Sequence, residues 1–250
     1  MSELSFPSRQ CLPAIIPPLL SFTAGFIDSF TVLALFGLFV AQVTGSFVLM
    51  AVAFVTNEQG SLIKALAVPV FLLAGMMTTV LAVVLERRRH AALPWILGLV
   101  CAVLTAFLLT ILIGAPLSKV GAVSVAAASL LGLFAMGVQS AAVRLLMKDV
   151  ASTNVMTTNT TQLAIDAAEL VLAWQARRRA PADAALAAAY EKARLRFRAL
   201  LPIILGFLAG TAVGMLAYVA IGVWGLLLPL AVMYAIFAWT SASALRGEPG

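Results

Sequence analysis

Six separate runs of roughly twenty apolar residues constrain this chain more than any other feature. They cover residues 14–36, 62–85, 92–114, 120–146, 199–219 and about 226–244. A helix needs about 20 such residues to cross a bilayer core. Composition agrees, with 63% hydrophobic and 10% charged residues and a mean hydropathy of +1.08. A soluble chain has roughly 45–50% apolar and about 25% charged residues. One core cannot absorb that much apolar side chain, so most of it must face lipid. A soluble enzyme, a nucleic-acid binder and a disordered protein are excluded as descriptions of the whole chain. The net charge of +6 is no nucleic-acid signal, because the basic residues gather in a few segments between spans. The expected fold class is an all-α integral membrane protein, one membrane domain over residues 1–250.

Two further stretches are ambiguous. Residues 38–55 are apolar but short, and Thr44-Gly45-Ser46 interrupts them. Residues 151–174 are long enough to cross, yet they carry the polar run from Ser152 to Gln162, then Asp166 and Glu169. No lipid-facing helix tolerates that load.

Charge placement separates the two resulting topologies. Arg87-Arg88-Arg89 and the cluster from Arg177 to Arg198 fall on one side if the ambiguous stretches only re-enter the membrane, and on opposite sides if both span it. With six spans, Arg9, Arg144, Lys148 and Arg246 join that side and leave only Lys64 and Lys119 on the other. The positive-inside rule therefore selects about six transmembrane helices plus two interrupted, re-entrant segments, with both termini cytoplasmic. Eight short spans, arranged 4+4, are the alternative. The first ten residues lack a basic leader and a small-residue cleavage site, so the first apolar run is expected to be retained.

Six spans give a 3+3 inverted repeat, with residues 14–114 as the first unit and 120–244 as the second. Gly25 and Gly137, like Asp28 and Ser140, lie 112 residues apart, and Thr44 and Thr157 lie 113 apart. Inverted repeats with interrupted helices near the midplane are a common transporter design.

These residues carry a resemblance. Gly25/Asp28, Phe39 and Thr44-Gly45-Ser46, followed by Gly137/Gln139/Ser140/Ala141/Arg144, make the chain similar to the YoaK family of bacterial multi-pass membrane proteins. That family's pattern is G-x-x-D, F, T-G-N, then G-x-Q-N-A-x-x-R and a second Thr/Gly-rich segment. The resemblance implies about six spans in the bacterial inner membrane and names no substrate. Ser46 and Ser140 stand where the pattern has Asn, and Thr158 where it has Gly.

Several residues are candidates for chemistry. Asp28 lies deep in the first span, where a carboxylate costs about 2.5–3.5 kcal/mol on insertion scales. It is either a proton- or cation-coupling group or a structural aspartate paired with a helix N-terminus or a neighbouring hydroxyl. Thr44, Gly45 and Ser46, with Thr157, Thr158, Asn159 and the rest of the cluster to Gln162, either line a polar cavity with unwound backbone or bond helix to helix. Gln139 and Ser140 belong to the same expected pathway. Arg144 either meets an anion or snorkels. Asp166 and Glu169 form an acidic site or meet Arg177–Arg179 at the surface. Gly206, Gly210 and Gly214 share one helix face, a close-packing seam within the chain or between two copies.

The segment 175–198, with Pro181 in a first turn, reads as a short amphipathic helix lying on the inner leaflet. Cys11 and Cys101 lack metal-ligand spacing, and the lone His90 cannot supply a multi-His metal site. No enzyme motif is present, and no catalytic residue, metal or cofactor is expected. The expected partners are the lipid bilayer and a small polar solute or ion, with no nucleic acid. The expected function is a small secondary transporter or channel; a non-transporting scaffold or sensor is the alternative.

Overall fold

The computed structural model describes residues 12–56, 61–114, 123–147, 150–180 and 183–246. Arg9, Cys11, Lys119, Lys148 and Pro181 lie outside the described residues. Among the described residues there are eight α-helices and no β-strand. They are α1 (Ile16–Ala34), α2 (Val43–Val55), α3 (Ser61–Arg87), α4 (Ala92–Gly114), α5 (Val123–Leu146), α6 (Met156–Arg179), α7 (Ala184–Ile221) and α8 (Leu227–Arg246). Five apolar stretches are long enough to cross a membrane, and the last, Ala184–Arg246, contains both α7 and α8. Gly222 breaks that stretch at φ 60, a conformation glycine adopts at no steric cost, and opens a 3-10 turn over Gly222–Leu226. The chain is an all-α, multi-pass membrane protein.

Residue contacts give each helix a direction. Gly206 meets Pro18, Gly210 meets Phe22 and Gly214 meets Phe26, so α1 and α7 run in parallel. The edge-to-face pair Phe30–Tyr218 keeps the same register. On α5, Gln139 reaches Leu20 while Gly132 meets Val40, which itself bonds Asp28; α5 therefore runs opposite to α1. Helix α8 runs opposite to α4, because Gly98 meets Phe237 while Thr105 meets Tyr234. All-spanning helices in an eight-span chain would make α4 and α8 parallel. Six crossings, by α1, α3, α4, α5, α7 and α8, fit these directions.

The same contacts collect the basic segments. Ala14 and Pro17 share a cavity with Val150, Ala151, Arg196 and Arg198. Arg89, His90 and Trp95 share a groove with Ala244 and Leu245. With these directions, the start of α1, the α3–α4 turn, residues 150–151, early α7 and the end of α8 share one basic end. The turn at Gly222 lies at the opposite end.

One expectation is corrected. Residues 184–198 are not a separate helix lying flat; they are the first part of the 38-residue α7, which continues through Pro202 into the membrane crossing. Asp183 caps it, its carboxylate accepting from the amides of Ala185 and Leu186 at 2.8 and 3.3 Å. At 1.5 Å per residue, the fifteen residues before Ala199 extend about 22 Å, and α6 packs beside them.

Candidate functional site

The first interrupted segment is built around Asp28. Helix α1 ends with Phe36 and Gly37 at positive φ, and the chain turns back beside the helix it has just left. The Asp28 carboxylate then accepts three backbone amides: Val40 and Ala41 on Oδ1 at 2.8 and 2.6 Å, and Gln42 on Oδ2 at 3.1 Å. These amides lead directly into α2, so a buried carboxyl group sits at its N-terminus, where the helix dipole favours negative charge. Of the two readings of Asp28, this geometry matches the helix partner. Ser46, fully buried, donates to the Phe39 carbonyl at 2.9 Å and fixes the same loop.

The second interrupted segment lies between α5 and α6. Ser21 donates to the Thr153 carbonyl at 3.2 Å, and Gln139 Nε2 to that of Leu20 at 3.0 Å. Thr153 donates to Asn154 Oδ1 at 2.9 Å. Asn159 Nδ2 donates to the Ser152 carbonyl at 2.6 Å. Two buried side-chain atoms here, Gln139 Oε1 and Asn154 Nδ2, have no hydrogen-bond partner among the described residues.

Two cavities open along α7. The larger, about 510 Å³, lies at the basic end; Thr158, Asn159, Gln162, Asp166, Arg196 and Arg198 supply its polar lining. The smaller, about 260 Å³, is bordered by Asp28, Ser29, Gln42, Phe207, Thr211 and Met215. Ala199 and Ile203 line the first, and Phe207, Thr211 and Met215 continue the same four-residue stripe into the second. The two share no lining residue. Along α7 they are separated by a single turn, about 6 Å of rise. There α1 closes on α7: a Cβ on Gly25 would lie 2.3 Å from the Phe207 carbonyl oxygen.

The sequence-predicted residues divide accordingly. Asp28, Thr158 and Asn159 border cavities. Thr44, Gly45, Ser46, Gln139, Ser140, Arg144 and Thr157 do not border either one. Thr44, Arg144 and Thr157 are exposed, Ser140 half-buried and Gln139 fully buried. Gln162, the end of the expected Thr157–Gln162 cluster, borders the larger cavity as well, whereas Gln42, Arg196, Arg198 and Thr211 were missed. No spacing in the sequence announces Thr211, the single polar residue on a stripe that otherwise reads Ala199, Ile203, Phe207 and Met215.

One pairing is corrected. Asp166 and Glu169 both meet Arg196 rather than Arg177–Arg179, with Arg196 Nε 3.3 Å from the buried Asp166 carboxylate. Arg177 instead lies over the Tyr190 ring and Arg178 over Trp174. Gly206, Gly210 and Gly214 abut α1 of the same chain so closely that a Cβ would fall 2.0–2.6 Å from its atoms. Of the two readings of that face, these contacts match close packing within the chain.

A family model described as a protein of unknown function (DUF1275) matches residues 17–239. No curated protein and no solved structure matches the chain.

Proposed function

From the premise that this chain belongs to the DUF1275 family, we propose that it is a small transporter or channel for a small polar solute or ion in the bacterial inner membrane. The finer family reading is the YoaK resemblance. The basic end, with the start of α1 and the end of α8, faces the cytoplasm on the positive-inside rule.

The observation that carries this reading is the pair of cavities on one stripe of α7, parted by one turn at Gly25 and Phe207. A conduit that opens alternately to two sides needs such a short closed section between two vestibules. A repeat supports it. The residues preceding α2 and α6 have nearly identical backbones, Gln42 at φ −96, ψ 70 and Val155 at φ −96, ψ 72, and they lie 113 positions apart. Gly25 packs α1 on α7 as Gly137 packs α5 on α3. With α1 and α5 running oppositely, residues 14–114 and 120–244 form inverted repeats whose interrupted helices begin beside the pathway. Asp28, at the upper vestibule, is its candidate coupling carboxylate.

The scaffold reading has one observation in its favour, the backbone-tight closure of α1 on α7. Osmotic swelling of vesicles in small polar solutes separates the two. Phe207→Ala removes the side chain that borders the smaller cavity next to this closure and should speed swelling beyond wild type, with Phe207→Leu near wild type. Rates for Phe207→Ala equal to protein-free vesicles would leave the scaffold.

A further inference from the structure

The largest described groove lies away from α7. It holds about 850 Å³ between the end of α3, the start of α4 and the end of α8. Leu85, Leu99, Phe237 and Leu245 form its walls, while Arg89 and His90 stand at its rim. Gly98 is its floor, where a Cβ would press on the Phe237 ring at 3.0 Å. No acidic side chain lines it among the described residues.

Three further observations define what fits. The rim belongs to the basic end, with Arg87 and Arg88 adjacent in sequence. Trp95 is 61% exposed and lies edge-on to His90 at 6.4 Å, an aromatic side chain of the kind enriched at the membrane–water boundary. The rim therefore sits at headgroup depth and the apolar walls at acyl-chain depth. Finally, Arg89 ends α3 at φ 58. The His90 amide returns to the Leu85 carbonyl at 3.0 Å and the Arg89 amide to that of Glu86 at 2.9 Å, the helix stop in which glycine normally takes this position. A guanidinium side chain is held at the rim where glycine would be less strained.

We propose that this groove binds one anionic glycerophospholipid of the leaflet at the basic end. Its acyl chains lie against Leu85, Leu99 and Phe237, and its phosphate meets Arg89, His90 and the first amides of α4. Basic pockets between membrane helices recognise anionic headgroups in this manner, and a helix N-terminus adds amide donors for a phosphate.

The test uses the full chain in vesicles, with Trp174, Trp224 and Trp239 changed to Phe so that Trp95 alone fluoresces. Brominated phosphatidylglycerol in a phosphatidylcholine background should quench Trp95 with about fivefold higher relative affinity than the reverse mixture. Arg89→Gly, which relieves the backbone, combined with His90→Gln should bring that ratio to about one. Ala102→Phe, which fills the groove without changing charge, should also lower it. Equal quenching by the two lipids would overturn the proposal. So would a preference that survives the Arg89/His90 change, or one that excess soluble glycerol phosphate abolishes.

Discussion

Ser46 and Asn159 do the same work in the two halves of the chain. Ser46 Oγ donates to the carbonyl of Phe39, and Asn159 Nδ2 donates to that of Ser152, each reaching seven residues back across the break before a helix. The two sites are 113 residues apart. In the first half a hydroxyl replaces the amide, and it spans the gap at 2.9 Å.

A prediction follows for Asn159. The serine variant reproduces the donor used in the first half, whereas Asn159→Ala leaves the Ser152 carbonyl without that partner. An unmet buried group costs about 1–3 kcal/mol. Thermal unfolding in detergent should place Asn159→Ser between wild type and Asn159→Ala. Equal loss in both variants would mean that the hydrogen bond is not what holds the turn.

Asp28 is the second case. An asparagine there can still accept the Val40 and Ala41 amides through one oxygen but turns an N–H2 toward Gln42. Asp28→Asn should therefore lose about 1–3 kcal/mol, and Asp28→Ala more, because three amides lose their acceptor. Neutralising a membrane carboxylate is harmless only where it has no partners, and this one has three. Gradient-driven uptake measured in the folded fraction of Asp28→Asn reads coupling apart from stability. Uptake retained there would reduce Asp28 to an anchor.

The crossings were legible because lipid demands long apolar runs, and the shared side of Arg87–Arg89 and Arg177–Arg198 because insertion sorts basic residues. The partners of Asp28 were not, since Val40, Ala41 and Gln42 contribute backbone amides that no residue type announces. Residues 184–198 were misjudged for a different reason. Their spacing describes an amphipathic face, and a face does not say whether lipid or α6 covers it. Pro202 sits inside α7, where a membrane helix tolerates it because neighbours re-satisfy the freed carbonyl. Asp166 found Arg196, thirty residues away, through the α6–α7 hairpin.

Topology gives the third prediction. Single cysteines at Arg88 and Arg178, in a chain with Cys11 and Cys101 replaced, should both resist an impermeant thiol reagent added outside intact cells. A cysteine at Val123, 84% exposed at the start of α5, should react. Labelling at Arg88 with protection at Arg178 would restore eight spans and remove the inverted repeat.

The last prediction concerns the hairpin that α6 and α7 make at the basic end. Asp166 is 1% exposed, and its carboxylate has two described partners, Gln162 at 3.0 Å and Arg196. Arg196 also pairs with Glu169 at the surface, so one guanidinium ties two turns of α6 to α7. Removing one partner of a buried ion pair costs more than the pair contributes, because the other charge stays buried. The Arg196 side chain is 42% exposed, so solvent softens that cost to about 1–3 kcal/mol. Arg196→Gln should destabilise the protein by that amount and speed proteolysis between α6 and α7. Glu169→Gln, acting on a half-exposed carboxylate, should change stability by less than about 1 kcal/mol. Adding Asp166→Asn to Arg196→Gln should recover part of the loss, because no unpaired charge then remains. A double-mutant cycle showing simple additivity would separate the two residues energetically, and the α6–α7 hairpin would have to be held by its apolar contacts and by Arg177 on Tyr190.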